Sequence, residues 1–265
     1  MASDAKPKDK QVAIVTGGAS GIGASIAGAL LAEGFEVFVL DIAIPDIFEP
    51  ASLAECQMMA CDISDSEAVA STIDAICSAS HRVDLLVNNV GISGPTAPVE
   101  DIDIQAWQQT IDTNLNAMFY VSKAVIPLMK AQHGGVIINM ASNAGLFGCP
   151  NRSPYAASKW AMIGLTKTWA MELGPFNIRV NTLCPASVSG SRIEGVIERD
   201  AAARGVTVEA VREVYERQSS LRSFTKAEDI ASMVCYLAGH GGTSISGQAI
   251  ALDGHTESLA NWLDP

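Results

Sequence analysis

Short apolar runs recur along the chain, and each is bounded by glycine, proline or polar residues. Strands that are buried on both faces are continuous apolar runs, without the alternation of half-exposed strands. These runs therefore predict the strands of a covered parallel sheet. The predicted strands are Gln11–Thr16, Phe35–Leu40, Met58–Cys61, Val83–Asn88, Val136–Met140, Ile178–Leu183 and Gln248–Leu252.

Longer, helix-like segments separate these runs. Gly34 is a typical residue for ending the first of them, and Pro154 suits the first turn of another. Pro127 is expected to kink or end a long helical stretch, because proline lacks the N–H that a helix interior requires. The predicted helices are Gly21–Gly34, Asp65–Ala79, Asp103–Lys130, Pro154–Gly174 and Lys226–Gly239.

The alternation of strands and helices predicts right-handed βαβ units. It thus indicates an α/β fold in one domain, a doubly wound parallel sheet of about seven strands with helices on both faces. Residues 186–224 interrupt the alternation with charged, helix-prone sequence after the sixth strand. Ligands of such sheets bind outside the carboxyl ends of the strands. We therefore expect residues 186–224 to form a lid over a substrate site.

The chain has 265 residues and a formal net charge of −12. This length suits one α/β domain, which we place at residues 11–265. Because an acidic protein has no general attraction for nucleic acid or an anionic membrane, we exclude both as partners. Residues 1–10 are polar, lack the apolar stretch of a secretory signal, and predict a disordered tail on a cytoplasmic protein. No metal site is expected, since the six cysteines form no C-x-x-C pair.

The segment Thr16–Gly23 joins the first predicted strand to the first predicted helix. Its glycines allow a sharp turn and a close approach of the backbone to a pyrophosphate. The helix N-terminus supplies free N–H groups and a partial positive charge. Three glycines alone are weak support, but their position between a strand and a helix predicts a Rossmann-type dinucleotide site.

Asp41 ends the second predicted strand, 18 residues after Gly23. An acidic side chain at this point can accept hydrogen bonds from the ribose hydroxyls of adenosine, and it repels a 2′-phosphate. No basic residue takes its place, since Ile42 follows it. The sequence therefore predicts NAD rather than NADP as the cofactor. A helix cap or a solvated turn is the alternative role of Asp41.

Tyr155 and Lys159 are four residues apart on a predicted helix. Residues at this spacing share a helix face. A tyrosine hydroxyl is a poor base at neutral pH, and a nearby ammonium group favours the ionised phenolate. The pair can then act as a general acid or base on an alcohol or carbonyl oxygen. Taken alone, however, this spacing is common on helix surfaces.

Other polar residues lie near predicted strand ends. Asp62 follows the third strand and is placed to contact an adenine, and Gly91 after the fourth strand lets the backbone pass close to a cofactor. Ser142 follows the fifth strand, where its hydroxyl can hold a substrate oxygen. Asn114 lies inside a predicted helix, where asparagine is unfavourable unless it binds a water or a backbone carbonyl. Turns and caps remain the alternative roles.

Together these motifs resemble the short-chain dehydrogenase/reductase family over nearly the whole chain. The motifs that carry the resemblance are Thr16–Gly23, Asp62, Asn88–Gly91, Asn114, Ser142, Tyr155 with Lys159, and Gly247–Gly254. In this order they are highly specific.

The resemblance implies a role for each member of the catalytic set. Tyr155 transfers the proton, and Lys159 binds the ribose and favours the tyrosine phenolate. Ser142 orients the substrate, and Asn114 holds a water in a proton relay. The cofactor-binding residues it implies are Gly17, Ser20, Gly21, Ile22, Gly23, Asp41, Ile42, Cys61, Asp62, Ile63, Asn89, Gly91, Tyr155, Lys159, Pro185, Ala186 and Val188.

Three positions depart from the family pattern. Val90 replaces an alanine, Ala186 replaces the glycine that usually follows Pro185, and Gly190 replaces a threonine that often helps to hold the nicotinamide carboxamide. We expect backbone groups near Val188 to hold the carboxamide instead.

The sequence favours an NAD-dependent alcohol or polyol dehydrogenase that interconverts a secondary alcohol and a ketone. An NADPH-dependent 3-oxoacyl thioester reductase is one alternative, and a non-catalytic, NAD-sensing regulatory protein is another. The arginines of residues 186–224 predict a solvated, salt-bridged helix pair, with a clamp for an anionic substrate as the less favoured interpretation.

The resemblance also implies a homotetramer that assembles through the long helices and the last strand. Three residues of these helices are candidates for an exposed apolar patch, with burial in the core as their alternative: Trp160, Met162 and Trp169.

Overall fold

A computed structural model gives the fold, and it describes residues 10–47 and 49–259. The predicted tail at residues 1–10 lies outside this range except for Lys10. Seven parallel strands form one sheet in the order β3-β2-β1-β4-β5-β6-β7. The strands are β1 (Val12–Thr16), β2 (Glu36–Asp41), β3 (Gln57–Ala60), β4 (Leu85–Asn88), β5 (Gly135–Met140), β6 (Ile178–Pro185) and β7 (Ala249–Leu252).

Helices cover both faces of this sheet, as the continuous apolar strands require. Ile26 and Leu30 of the first helix and Ile230 of the last pack on one face of the sheet. The other helices that contribute core residues, apart from those of the lid, cover the opposite face. The helices are α1 (Gly21–Ala32), α2 (Ser66–Ser80), α3 (Ile104–Ile111), α4 (Ala117–Ala131), α5 (Ser153–Leu173), α6 (Ser191–Arg204), α7 (Val208–Arg217) and α8 (Ala227–Ala238). The predicted fold class is confirmed.

The strand order reverses between β1 and β4, which are neighbours in the sheet although two strands separate them in the chain. Such a reversal leaves a crevice at the carboxyl ends of the strands, because the connections on its two sides run over opposite faces. The loops after β1, β4 and β5 open at this edge, and they carry the glycine-rich segment, Gly91 and Ser142.

The stretch predicted to be helical over Asp103–Lys130 is helical, but it is not one regular α-helix, because a π-helical turn at Asp112–Asn116 separates α3 from α4. Of the two effects expected of Pro127, it does not end α4, which continues to Ala131. The two buried members of the proposed exposed patch are also corrected: Met162 and Trp169 pack in the core, and only Trp160 is exposed.

The segment predicted as a lid folds into α6 and α7, which have a small apolar core of their own around Ile197 and Val211. An isolated bridge between Val188 and Thr225 brings the two ends of the segment together, and a second bridge joins Ser219 to Thr256 after β7. Among the residues described, no helix is long and apolar enough to cross a membrane.

Candidate active site

A cleft of about 1760 Å³ runs along the carboxyl edge of the sheet. It extends from the loop after β1, past the ends of β4 and β5, to the lid helix α6. The sequence-predicted residues that line it are Gly17, Ser20, Gly21, Ile22, Asp41, Asn89, Gly91, Ser142, Tyr155, Lys159, Pro185, Ala186 and Val188. Outside its lining lie Gly23, Ile42, Cys61, Asp62, Ile63 and Asn114.

The glycine-rich loop has room only for glycine at two points. A Cβ atom on Gly23 would lie 2.0 Å from the Gly17 carbonyl oxygen, and Gly17 itself has a φ of +63°. The Ser20 side chain does not cap α1, and the first turn of this helix has no acidic residue. The positive end of the α1 dipole is therefore left for an anionic ligand, so this cradle fits the pyrophosphate of a dinucleotide.

Two polar side chains fasten this loop to the sheet. Asp41 accepts a hydrogen bond from the Ala19 N–H at 3.1 Å. Asn89 donates from Nδ2 to the carbonyl oxygens of Thr16 and Gly17, each at 3.1 Å. Asp41 therefore has a structural contact and also faces the cleft, since it belongs to the lining.

The residues after β3 lie beside the cleft. Asp62 accepts hydrogen bonds from the Ser64 hydroxyl and N–H at 2.7 and 2.9 Å, which lower the pKa of its carboxyl group. Its exposed side chain is accessible to an adenine. Cys61 and Ile63 are buried, so they can offer a cofactor at most backbone or edge contacts. Ile42, in contrast, is exposed.

Tyr155 and Lys159 lie one turn apart on α5, and both line the cleft. The Lys159 Nζ lies 5.6 Å from the centre of the Tyr155 ring and donates to the Met140 carbonyl oxygen at 2.7 Å. Burial, with a smaller contribution from the charge of Arg192, lowers the pKa of Lys159 to about 7. A bound anion or phenolate would favour the charged ammonium.

The Ser142 hydroxyl is held at the end of β5 by two local contacts. It accepts from the Ala144 N–H at 3.2 Å and donates to Asn143 Oδ1 at 3.1 Å, while Asn143 donates to Thr256 at 3.0 Å. These contacts orient the hydroxyl in the cleft. A hydroxyl proton can rotate, so Ser142 can donate to a substrate oxygen in place of Asn143.

Asn114 lies in the π-helical turn and is fully buried. Its Oδ1 accepts from the Ile92 N–H at 2.7 Å, and its Nδ2 donates to the Ile92 carbonyl at 3.0 Å and to Ser158 Oγ at 3.2 Å. Ser158 donates in turn to the Tyr155 carbonyl at 2.7 Å. The amide thus fixes the backbone near Tyr155, and both amide protons are already used, so a relay water would have to bind main-chain groups or the second lone pair of Oδ1.

The N–H and C=O groups of Val188 point away from Thr225, the residue with which Val188 forms an isolated bridge. In its bridge to Thr225, the hydrogen bonds are made by Ser187 and Ser189, at 3.0 and 2.9 Å. This pattern turns the N–H and C=O of Val188 to the opposite side, and Val188 lines the cleft. A free N–H and C=O pair suits a carboxamide, which needs one donor and one acceptor.

The cleft residues that sequence reasoning overlooked include Arg152 and Asn143. Arg152 lies three residues before Tyr155, and its guanidinium carbon is 5.3 Å from the centre of the Tyr155 ring. The i, i+3 spacing was the available signal.

Cys184 is excluded as a reactive group, because it is buried and burial raises the pKa of its thiol to about 11.

A family model described as short chain dehydrogenase matches residues 11–212. The chain is similar to a trans-4-hydroxycyclohexanecarboxylate dehydrogenase of Sinomonas cyclohexanicum, with 36% identity over 92% of each chain. Among solved structures, it resembles an NAD⁺-bound xylitol dehydrogenase with 30% identity and a TM-score of 0.85, over 93% of this chain and 99% of that one.

A second solved structure is a variant of the actinorhodin polyketide ketoreductase with NADPH. It is 30% identical, covers 97% of this chain and 99% of its own, and has a TM-score of 0.85. The relatives therefore include proteins with either nicotinamide cofactor. With the family match over most of its length, and with the same parallel sheet, the chain belongs to the short-chain dehydrogenase family of oxidoreductases.

Proposed function

We propose that the protein is an NAD-dependent oxidoreductase that interconverts a secondary alcohol and a ketone, with Tyr155 as the general acid and base. One observation carries this proposal. A single cleft connects the glycine cradle and Asp41 with Tyr155, Lys159 and Ser142. A dinucleotide bound at the cradle would therefore reach the residues that can exchange a proton with a substrate oxygen.

The residues present fit the dinucleotide in three places. The α1 N-terminus and Gly21 would receive the pyrophosphate, and Asp41 would accept hydrogen bonds from the adenosine ribose. The backbone of Val188 would hold the nicotinamide carboxamide, in place of the side chain that Gly190 lacks. When bound, the nicotinamide supplies the hydride acceptor or donor.

Three side chains handle the substrate oxygen in this proposal. Ser142 donates a hydrogen bond to it and fixes its position. Tyr155 takes the hydroxyl proton during oxidation and returns it during reduction. Lys159 in its charged form stabilises the Tyr155 phenolate and contacts the ribose. Asn114 acts further back, since its contacts to Ile92 and Ser158 hold the backbone that presents Tyr155.

Two features favour this proposal over the alternatives. Asp41 forms no ion pair with any residue that the structure describes, so its negative charge remains to repel the 2′-phosphate of NADPH. This argues against the 3-oxoacyl thioester reductase. A sensor needs a cofactor pocket only, whereas here Ser142, Tyr155 and Lys159 all line the cleft.

The test of the proposal is Tyr155→Phe, which removes one oxygen atom and keeps the ring. We expect kcat to fall by roughly a hundredfold to ten-thousandfold, the usual contribution of a general acid or base. The melting temperature and the affinity for NAD should stay near wild type. Tyr236→Phe, at a half-exposed position on α8, is the matched control and should leave kcat unchanged. A stable, NAD-binding Tyr155→Phe protein with most of its kcat would refute the assignment.

A further inference from the structure

Arginine side chains meet at the lid end of the cleft. Arg152 directly precedes α5, while Arg192, Arg199 and Arg204 lie on α6, and all four line the cleft. The charges of Asp200, Arg152 and Arg204 all act on the partly buried Tyr215 of α7, so the start of α5 and the lid helices converge there. In a chain with a net charge of −12, this concentration of cations is a local feature of the site.

Most of these cations lack an anionic partner. Arg204 forms an ion pair with Asp200 at 2.7 Å. Across residues 10–47 and 49–259, no carboxylate forms an ion pair with Arg152, Arg192 or Arg199. The predicted salt-bridged pair of helices is therefore present only in part, through Arg204 and through the pair of Arg212 with Glu194.

Arg152 has the geometry of an anion receptor beside the Tyr155 ring. Its guanidinium lies over this ring, and its Nη1 donates to Thr96 Oγ1 at 3.3 Å. Its Nε is buried and donates to no atom that the structure describes. A buried donor without a partner is rare in native structures and leaves the charge of the group uncompensated. The guanidinium as a whole lines the cleft, and a guanidinium can receive a carboxylate by two parallel hydrogen bonds.

Asp200 is the lining carboxylate that competes for these cations, since it pairs with Arg204 and, like Arg152, acts on Tyr215. Its Oδ2 is also buried without a partner, while its Oδ1 accepts from Arg204. Even if Asp200 turned to Arg152, four guanidinium groups would face one carboxylate. The remaining carboxylates of the lining come from other walls of the cleft, namely Asp41, Glu49 and Glu228.

We propose that the substrate is a hydroxy acid or keto acid whose carboxylate binds the guanidinium of Arg152 where it lines the cleft, with Arg192 and Arg199 supplying additional positive potential. The inference rests on the proposed function, because it places the reacting oxygen at Tyr155. Tyr155 accepts the hydroxyl proton while the carbinol C–H bond breaks and its electron pair passes as hydride to NAD. A keto acid and reduced NAD result, and the carboxylate is unchanged.

The turnover test compares each acid with its neutral methyl ester. We would measure kcat/KM with NAD for 3-hydroxybutyrate, 4-hydroxypentanoate and 4-hydroxycyclohexanecarboxylate, each beside its ester, and for sorbitol 6-phosphate beside sorbitol. At least one acid should exceed its ester by about 10- to 100-fold, as expected for a charged hydrogen-bonded contact. Arg152→Gln should remove this advantage, mainly through KM, and Arg152→Lys should restore part of it. Arg222→Gln, an equal charge change outside the cleft, should have no effect.

A binding test separates this inference from the proposed function. Butyrate and its neutral isostere butyramide would be titrated calorimetrically into NAD-loaded protein. Butyrate should bind wild type more tightly than Arg152→Gln by the same 10- to 100-fold factor, and butyramide should not distinguish them. Such binding without turnover of any compound would refute the proposed function and leave the anion site. Turnover of esters as good as that of acids, an equal loss for both in Arg152→Gln, or a preference for the phosphorylated sugar would overturn the inference.

Discussion

At the scale of single residues, the one carboxylate of Asp41 has two roles in the proposal, a contact within the glycine-rich loop and a contact with the cofactor. It accepts a hydrogen bond from the Ala19 N–H and lines the cleft at the end that we propose for the adenosine. We expect wild-type protein to bind NAD far better than NADP, and Asp41→Ala to narrow the ratio of the two dissociation constants by roughly tenfold or more. Asp101→Ala, at an exposed position outside the cleft, is the control. Equal affinity of the wild type for both cofactors would contradict this role.

Lys159 makes stability depend on pH. Its pKa in the folded protein is lowered to about 7, whereas an unfolded lysine titrates near 10.4. Between these values the unfolded chain binds one more proton, so stability rises with pH in this window, and below about pH 7 the folded protein carries the full desolvation penalty. Lys159→Met should therefore raise the melting temperature of the cofactor-free protein by a few degrees at pH 6.

The advantage of Lys159→Met should shrink as pH rises toward 10. Loss of the hydrogen bond to the Met140 carbonyl offsets part of it, so the pH trend is more informative than its absolute size. The measurement is the melting temperature of both proteins between pH 6 and 10. Parallel pH profiles would show that Lys159 titrates normally in the folded state.

The sequence identifies functional residues better than it identifies their partners. The types and spacing of Tyr155, Lys159 and Ser142 predicted that they would meet at one sheet edge, and all three line the cleft. The spacing could not show that both amide protons of Asn114 are used by Ile92 and Ser158, because those contacts join segments far apart in the chain.

At the scale of elements, apolar runs located all seven strands to within about two residues. The reason is clearest for β1, β2, β4, β5 and β6, which are largely buried, as strands covered on both faces are. The local sequence pattern predicted helices less well where an irregular turn depends on contacts between segments far apart in the chain. The turn at Asp112–Asn116 is π-helical around the buried Asn114, and such turns are frequent at functional sites. Pro127 is tolerated inside α4 because Lys123, whose carbonyl loses its helical partner, is on the exposed side.

The turn from β1 into α1 gives a prediction about close packing. In Gly23→Ala the new methyl group would lie 2.0 Å from the Gly17 carbonyl, so the loop or the helix must move. We expect a lower melting temperature and loss of most NAD affinity. Gly28→Ala on the same helix is the matched control, since its methyl group would lie 3.6 Å from Ser52 Oγ at the nearest. The control should keep or slightly raise stability, because alanine favours helix. Equal melting temperatures for the two variants would contradict the packing argument.

At the scale of the whole molecule, exposed aromatic side chains support the predicted homotetramer. Phe119 of α4, Trp107 of α3 and Trp160 of α5 are 44%, 38% and 52% exposed. Burying large apolar side chains between copies would remove this surface from water. We expect light scattering at micromolar concentration to give a tetramer mass and Trp160→Glu to give smaller species. Ile47→Glu, the same kind of change at an exposed residue of the loop after β2, should leave the mass unchanged. A monomer mass for the wild type would refute the prediction.

The lid is a small body whose two ends lie side by side. Its helices share a core around Ile197 and Val211, the bridge of Val188 with Thr225 brings its ends together, and the bridge of Ser219 with Thr256 joins it to the segment after β7. A segment of this kind can be exchanged as a whole. Evolution, or an engineer, can alter substrate choice by replacing the segment between Val188 and Thr225, while the cradle that recognises the dinucleotide is inherited unchanged.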